Sequence, residues 1–219
     1  MKNIKLKICG LRDNIREVLA LQPDYVGFIF YGNSPRCISE STEIISTASK
    51  KVGVFVNEPP EKIIAKVTQY GLDAIQLHGD ESVKEVLQLR ALLERDANFS
   101  HVEIWKVFGV SETFDFERLK IYEPQVDRFL FDTKSTQRGG TGKTFNWKIL
   151  KNYPFKTPFI LSGGIGLEEL PEIEELLKED IPIYAIDVNS RFEISPGLKD
   201  IDKLEKLTNY MGRDPHTTI

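Results

Sequence analysis

The chain has 219 residues, of which 41% are hydrophobic, 10% aromatic and 28% charged. This composition is that of an ordinary globular protein and excludes fibrous and intrinsically disordered classes. The 29 Lys and Arg residues against 33 Asp and Glu residues give a formal net charge of -4, and no run of like charges supplies the basic face that nucleic-acid binding needs. We therefore expect no nucleic-acid partner, and only a local positive field if the ligand is an anion.

The N-terminus and the cysteines predict a cytoplasmic chain. Residues 1–9 alternate lysine with aliphatic residues, which is a strand pattern and not the apolar core of a signal peptide. No apolar stretch reaches the ~18 residues of a membrane span, so we expect no membrane contact. Cys9 and Cys37 lie far apart without a Cys-x-x-Cys motif, and the chain has three histidines. This pattern predicts free thiols and no metal site.

Short apolar runs rich in β-branched residues recur along the chain and predict eight strands. In chain order they are Ile4–Ile8, Tyr25–Phe30, Val52–Val56, Ala74–Leu77, Val102–Val107, Arg128–Phe131, Pro158–Leu161 and Ile183–Ile186. Apolar residues with helical spacing predict helices between them, at Ile15/Val18/Leu19, Ile63/Ile64/Val67, Val83/Val86/Leu87, Leu170/Ile173/Leu177 and Ile201/Leu204/Leu207. A weaker helix of two turns is predicted over Phe145–Leu150.

This alternation of strand and helix predicts parallel strands joined by helical crossovers. Eight rounds in a chain of this length favour a single (β/α)8 TIM barrel over a doubly wound sheet of five or six strands. No linker rich in Pro, Gly or Ser divides the chain. We expect one barrel domain over residues 1–209 and a frayed polar tail over residues 210–219.

The active site of such a barrel lies at the carboxyl ends of its strands, so the residues that end each apolar run are the candidates. They are Cys9-Gly10, Asn33-Ser34-Pro35-Arg36, Asn57, His78-Gly79, Gly109, Asp132-Thr133, Ser162-Gly163-Gly164 and Asp187-Val188-Asn189-Ser190. A thiol, a carboxylate, a guanidinium and a pair of glycines at one rim suit acid/base chemistry on a phosphorylated substrate.

Several of these segments are motifs found together in one enzyme family. They are Lys7-Ile8-Cys9-Gly10-Leu11, Ser34-Pro35-Arg36, Gln76-Leu77-His78-Gly79, Gly139-Gly140-Thr141-Gly142-Lys143-Thr144-Phe145-Asn146-Trp147 and Leu161-Ser162-Gly163-Gly164-Ile165. In these motifs, which span nearly the whole chain, the sequence resembles the phosphoribosylanthranilate isomerases. The resemblance implies a (β/α)8 barrel that isomerises N-(5-phosphoribosyl)anthranilate in tryptophan biosynthesis. It implies a small phosphosugar substrate, no metal and no organic cofactor.

The resemblance also assigns the two groups that an Amadori rearrangement needs. It implies that Asp132 is the acid that opens the sugar ring and that Cys9 is the base that removes a proton from the neighbouring carbon. A thiol base requires a pKa shifted down from ~8.5 by positive charge or oriented amides. An acid at Asp132 requires a raised pKa, which closure of a loop over it would favour, and Thr133–Lys143 is a candidate lid. We expect Cys37 to be structural.

The remaining rim residues have binding or supporting roles, of which the resemblance implies that of Arg36. Arg36 is expected to bind the anthranilate carboxylate, because its planar fork matches a carboxylate. His78 is expected to be a hydrogen-bonded structural histidine rather than a second acid or base, and Asp187 to organise the rim. Without the resemblance, these residues would as readily be solvated or satisfied polar groups.

The phosphate is expected at the loops after the seventh and eighth strands, where barrels commonly place it. Gly163 and Gly164 allow the backbone to approach an anion, and Asn189 and Ser190 offer side-chain and amide donors. Arg191 stands where the family tends to have glycine. We expect the turn to survive, with Arg191 adding a phosphate contact or pointing to water.

Two alternatives remain open from the sequence. One is a histidine-pathway phosphoribosyl isomerase, which performs the same chemistry but characteristically has an aspartate at the place of Cys9. The other is a phosphosugar-binding barrel that has lost catalysis, against which Cys9 and Asp132 argue. The sequence also leaves open whether the chain acts as a monomer, as a homodimer or with other tryptophan-pathway enzymes.

Overall fold

The eight predicted strands pair in parallel in chain order, and the last pairs with the first to close a barrel. The computed structural model describes residues 1, 4–40, 42, 47–111, 113–133 and 146–213, and of Thr133 the backbone alone. The strands are β1 Lys5–Cys9, β2 Tyr25–Ile29, β3 Lys50–Phe55, β4 Ala74–Leu77, β5 Glu103–Val110, β6 Arg128–Thr133, β7 Phe159–Leu161 and β8 Ile183–Val188. The predicted (β/α)8 barrel is thus confirmed.

Four of the strands, β1, β5, β6 and β8, extend beyond their apolar runs toward the carboxyl rim. β5 continues through Phe108-Gly109-Val110, which pair with the end of β6, and β8 continues through Asp187 and Val188. The sequence-based limits stop short because Gly109 and Asp187 interrupt the apolar pattern. Pairing with neighbouring strands holds these residues in extended conformation regardless of their own β-propensity.

All five helices predicted from apolar spacing are present, as α1 Ile15–Ala20, α2 Pro60–Tyr70, α3 Val83–Glu94, α4 Leu170–Leu176 and α5 Ile201–Tyr210. Side-chain caps mark the starts of two of them: Ser82 and Glu85 form a capping box at α3, and the Asp200 side chain accepts from the Lys203 amide at α5.

The crossovers after β5 and β6 differ from the expected alternation. In the described residues they contain 3-10 helices, at Phe116–Leu119, Glu123–Gln125 and Trp147–Asn152. The weak helix predicted over Phe145–Leu150 therefore begins at Trp147 and is not an α-helix, and Phe145 lies outside the described residues. Prolines limit both crossovers, because Pro124 lacks an amide donor and Pro154 follows the last of the three helices.

The core has two parts. Inside the barrel, a smaller hydrophobic cluster packs around Tyr25, Trp105 and Leu130. Outside it, a larger cluster joins the alternate strand residues to the helices, as where Phe129 and Phe131 flank Leu130 along β6. Because successive strand residues point to opposite faces, this division follows directly from the alternation.

A two-stranded antiparallel sheet, β9 Glu193–Ser195 with β10 Leu198–Lys199, follows β8 beside the barrel. After it, α5 ends at Tyr210, and the next residues are packed rather than frayed: Met211 is buried and Arg213 donates to the carbonyl of Ile4. The start predicted for the tail is therefore too early, and residues 214–219 lie outside the described residues. In the described part of the chain, no helix is both long and apolar enough to cross a membrane.

Candidate active site

The candidate acid/base residues lie at one rim of the barrel. Cys9 is the last residue of β1, Asp132 and Asp187 are next to last in β6 and β8, and His78 directly follows β4. All eight strands are parallel, so their carboxyl ends meet at the same face. The structure thus brings together four residues that are distant in the sequence.

A buried lysine connects Cys9 to Asp187. Lys7 Nζ lies 2.9 Å from Asp187 Oδ2, and neither side chain is appreciably exposed. The pairing of β1 with β8 sets Lys7 directly opposite Asp187. Burial raises the pKa of Asp187, and the Lys7 ammonium opposes that shift. Burial of the charges is costly, so each depends on the other.

The Cys9 thiol differs from the expectation of a lowered pKa. Its side chain is buried, and this burial raises the pKa of the thiol above its usual value. The charges of Lys7 and Lys199 act in the opposite direction, while the carboxylate of Asp187 adds to the rise. The positive charge near Cys9 therefore does not outweigh the desolvation of the thiol. Cys37, also a free thiol, donates to the Ile38 carbonyl and has no part in the site.

Asp132 faces His78 across the mouth of the barrel. His78 Nε2 lies 3.5 Å from Asp132 Oδ2, and both side chains are partly exposed. On the other side of the ring, Gln76 Nε2 lies 3.0 Å from His78 Nδ1. With the amide as donor, the ring proton sits on Nε2 and points at Asp132. This contact is compatible with the structural role expected for His78.

Lys106 and Glu81 hold the loop that carries His78. Lys106 Nζ donates to Glu81 Oε2 at 2.9 Å and to the Gly79 carbonyl at 2.9 Å, and both charged side chains are buried. Glu81 in turn accepts from the amides of Asn57 and Gly79. One buried ion pair therefore fixes the loops after β3 and β4. A Cβ at Gly79 would lie 2.2 Å from Asn57 Oδ1, so only glycine fits there.

Arg36 is not a solvated loop residue. Its side chain is buried, and it donates to both carboxylate oxygens of Glu193, from Nε at 3.0 and 2.9 Å and from Nη2 at 2.7 Å. Lys199 Nζ donates to the same carboxylate at 2.8 Å and to Asn189 Oδ1 at 2.8 Å. The Asn189 side chain is thus engaged with Lys199 rather than presented to a ligand. Gly10 adjoins both groups, because a Cβ there would lie 2.7 Å from Asn189 Oδ1 and 2.8 Å from Arg36 Cδ.

The turn after β7 contains two consecutive glycines with positive φ. Gly163 and Gly164 have φ values of 89° and 72°, a region that residues with a Cβ seldom adopt. Two consecutive positive φ values favour glycine at both positions, so the backbone conformation itself requires this pair. After β8, Ser190 begins a short 3-10 helix, Ser190–Phe192. β7 and β8 are neighbours in the barrel, so their following loops lie at the same part of the rim.

Arg191 joins these two loops. Its φ is not positive, so an arginine at this position carries no backbone strain. Arg191 Nη2 donates to Glu168 Oε2 at 2.9 Å and lies 3.6 Å from Glu169 Oε2. Glu169 also accepts from the Gly166 amide. The guanidinium of Arg191 is therefore directed at the carboxylates of Glu168 and Glu169.

Sequence reasoning missed five charged residues of the site: Lys7, Glu81, Lys106, Glu193 and Lys199. The side chains of all five are buried. Lys7 lies within the motif Lys7-Ile8-Cys9-Gly10-Leu11 and Glu193 shortly after Ser190, whereas Lys199 follows β8 by eleven residues and is part of no motif. The candidate lid Thr133–Lys143 lies outside the described residues, apart from the backbone of Thr133. In the described part of the chain, no group of three or more potential metal ligands lies together.

Comparison with protein families decides the identity of this barrel. The family described as N-(5'-phosphoribosyl)anthranilate (PRA) isomerase matches residues 6–210, from β1 to the end of α5. The chain belongs to the N-(5'-phosphoribosyl)anthranilate isomerase family. This is a family of enzymes of tryptophan biosynthesis, as the motifs predict. The alternative of a histidine-pathway isomerase is therefore set aside.

Individual members of the PRA isomerase family match over almost the full chain. The isomerase of Parabacteroides distasonis is 41% identical, over 98% of this chain and 99% of that protein. The isomerase of Phocaeicola vulgatus is 40% identical, over 94% and 97% respectively. The crystal structure of the Thermotoga maritima isomerase superposes with a TM-score of 0.77 at 33% identity, over 95% and 99%. A further family structure, 28% identical with a TM-score of 0.73 over 95% and 98%, is a complex with reduced 1-(o-carboxyphenylamino)-1-deoxyribulose 5-phosphate.

Proposed function

We propose that the chain converts N-(5'-phosphoribosyl)anthranilate to 1-(2-carboxyphenylamino)-1-deoxyribulose 5-phosphate, with Asp132 as general acid and Cys9 as general base. The observation that carries this assignment is the linkage of the two groups through Asp187. Asp187 pairs with Lys7 beside Cys9, and it interacts electrostatically with Asp132 and His78. These interactions support a site in which the acid and the base act on the same substrate at the barrel mouth.

The first step opens the sugar. Asp132 donates a proton to the furanose ring oxygen, the bond between that oxygen and C1 breaks, and the lone pair of the anthranilate nitrogen forms the C1 iminium. The proton and the bonding pair both end on the former ring oxygen, which becomes a hydroxyl. His78 Nε2, 3.5 Å from Asp132 Oδ2, orients the acid and balances the carboxylate that forms.

The second step moves a hydrogen from C2. Cys9 removes the C2 proton, the electron pair of the broken bond forms the C1–C2 double bond, and the iminium nitrogen becomes neutral. The resulting enolamine tautomerises to the ketone by losing the proton of its C2 hydroxyl and gaining one at C1, so the overall reaction is an isomerisation. This step requires the thiolate form of Cys9.

The two anionic ends of the substrate have separate partners in this proposal. The phosphate is bound by the amides of the turn at Gly163 and Gly164 and by the start of the 3-10 helix at Ser190. The carboxylate of the aromatic ring is bound by Arg36, whose Nε and Nη2 are held by Glu193. Asn189 contributes by fixing Lys199 through its side chain.

The proposal is tested by following the fluorescence of phosphoribosylanthranilate as the purified protein consumes it. We expect turnover in the wild type and in Cys37→Ser, whose thiol lies outside the site. Cys9→Ala and Asp132→Asn should each lower kcat by about 10²–10⁴-fold, the usual contribution of a positioned acid or base. Near-wild-type turnover of both folded variants would refute the assignment. A folded wild type that binds product analogue without turnover would instead indicate a binding barrel.

A further inference from the structure

The proposed reaction assigns no role to the buried charge of Lys7. Lys7 is fully buried, points into the barrel interior and pairs with Asp187 at 2.9 Å. A lysine is rarely found in such a place, because removing its ammonium from water is costly even when a carboxylate compensates. An apolar residue would fill the same position at lower cost. The charge of Lys7 therefore calls for an explanation beyond packing.

Lys7 and Cys9 lie on the same face of β1. They are two residues apart, and residues at this spacing in a strand point to the same side. Lys7 is paired in register with Tyr25, which belongs to the interior cluster, so this side is the inside of the barrel. Each of the two groups acts on the other: the ammonium favours the ionised thiol, and the thiolate favours the charged lysine.

The charged groups that face Cys9 come from three elements. Lys7 lies on the same strand, Asp187 faces it from β8 and Lys199 from β10. On β2 the residue beside the thiol is Gly27, and a Cβ there would lie 2.7 Å from Cys9 Sγ. Gly27 therefore gives the thiol room and contributes no side-chain partner.

These charges belong to a buried cluster with an excess of one positive charge. Its members are the cations Lys7, Arg36 and Lys199 and the carboxylates Asp187 and Glu193, all of them buried. Glu193 already compensates Arg36 and Lys199 in part, and Asp187 compensates Lys7. A thiolate at Cys9 would bring the cluster to neutrality. Buried clusters avoid net charge, so this arrangement favours ionisation of Cys9.

We propose that Lys7 is a positioning residue for Cys9: its buried ammonium, held in place by Asp187, stabilises the thiolate that acts as base. The inference rests on the proposed role of Cys9 in catalysis. Lys7 itself remains protonated throughout and exchanges no proton with the substrate. The proton released when Cys9 ionises goes to solvent. Asp187 has two opposed effects, since it fixes Lys7 but places its own negative charge near the thiol.

Substitutions of Lys7 and Asp187 should shift the pH midpoint of Cys9 ionisation in opposite directions. Removing the ammonium in Lys7→Met should raise the pH midpoint of Cys9 ionisation by at least about one unit, which is tenfold less thiolate at a given pH. Removing the carboxylate charge in Asp187→Asn should lower the midpoint, because the ammonium is then left with Cys9 as its remaining anion. A merely structural role would disturb the thiol in the same direction in both variants.

The measurement is a pH titration of the cysteine Cβ resonance in protein labelled with ¹³C at cysteine. It is made in the Cys37→Ser background, so Cys9 gives the single signal, and without substrate. Lys106→Met is the matched control, because Lys106 is a second buried lysine of the barrel whose partner is Glu81. Its midpoint should equal that of the parent. Equal midpoints in Lys7→Met and the parent, or an equal shift in Lys106→Met, would overturn the proposal.

A second comparison keeps the test decisive if Lys7→Met alone does not fold. Lys7→Met/Asp187→Asn leaves no unpaired carboxylate, and its midpoint should lie above that of Asp187→Asn by a similar amount. An equal midpoint in these two variants would overturn the proposal. The titration is independent of turnover, so full activity in Cys9→Ala would refute the proposed base while leaving the measured effect of Lys7 on the thiol intact.

Discussion

Arg36 and Glu193 lie 157 positions apart in the chain and form a two-pronged ion pair, with Arg36 Nη2 2.7 Å from Glu193 Oε2. Arg36 is in the loop after β2, and Glu193 follows the 3-10 helix after β8. The pair therefore ties together two loops on either side of β1, the strand that carries Cys9. Lys199 shares the same carboxylate. The positions of Arg36 and Lys199 at this rim thus depend on the carboxylate of Glu193.

The first prediction concerns the pH dependence of stability. Burial alone would raise the pKa of Glu193, but the hydrogen bonds and charges of Arg36 and Lys199 together lower it below the usual value. A carboxylate with a lowered folded-state pKa stabilises the fold above its unfolded-state pKa of about 4.3, and this stabilisation is lost as the pH falls through the folded-state pKa. Glu193→Gln lacks this contribution at every pH.

We therefore expect Glu193→Gln to lower the free energy of unfolding by about 3 kcal/mol above pH 5, since it leaves two buried cations without their carboxylate. The difference from the wild type should shrink progressively below about pH 4.3. Urea unfolding at a series of pH values measures both. A difference that stays constant down to pH 3 would show that Glu193 acts through packing and not through its charge.

The second prediction concerns ligand selectivity at Arg36. A guanidinium fixed by Glu193 is a pre-organised partner for a planar carboxylate, and such charge-assisted pairs are stronger than neutral contacts. Arg36→Ala should weaken binding of a carboxylated product analogue much more than binding of a phosphosugar that lacks the ring. Isothermal titration with both ligands tests this, with Glu193 unchanged. Equal weakening of the two ligands would place Arg36 at the phosphate instead.

The fold could be predicted from the sequence because its signals are local and repeated. The apolar runs around Tyr25 and Leu130 and the helical spacing at Ile63 and Leu204 each predict their own element, and the number of repeats indicates the barrel. Cys9 and Asp132 could likewise be placed at strand ends. Each of these inferences uses residues close together in the chain.

The buried ion pairs could not be predicted in this way. Lys7 appears in the sequence as one of several alternating lysines, and the structure alone shows that it points inward while Lys5 is exposed. Glu193 and Lys199 read as ordinary surface charges until the short β9–β10 sheet turns them toward Arg36. Their partners are set by strand register and by long-range contacts, which the periodicity of a single chain does not encode.

The third prediction compares a buried with an exposed ion pair. Glu81→Gln leaves the buried ammonium of Lys106 without its carboxylate and should lower the free energy of unfolding by about 3–5 kcal/mol. Glu175→Gln breaks the exposed pair with Lys178, for which we expect a loss of about 1 kcal/mol or less. Urea unfolding of both variants at pH 7 provides the comparison. Equal losses would mean that the Lys106–Glu81 pair is not structurally important.

The last prediction ranks backbone against side chain at the phosphate loops. Arg191 is partly exposed and already paired with Glu168, whose side chain is mostly exposed, so its net contribution to binding is expected to be about 1 kcal/mol or less. Arg191→Gly should therefore change the Kd for the product analogue by less than about tenfold. Gly164 has a φ of 72°, which a β-branched residue cannot adopt without strain.

Gly164→Val should accordingly rotate the turn and remove its amides from the phosphate, so that binding of the analogue is nearly abolished while the barrel remains folded. Arg191→Lys serves as the control, because it keeps a positive charge but lacks the planar guanidinium. The reverse order, with a larger loss in Arg191→Gly than in Gly164→Val, would show that the guanidinium holds the phosphate. In that case the Arg191–Glu168 contact would have to open before substrate could bind, and a rising KM with a decreasing salt dependence in Arg191→Gly would accompany it.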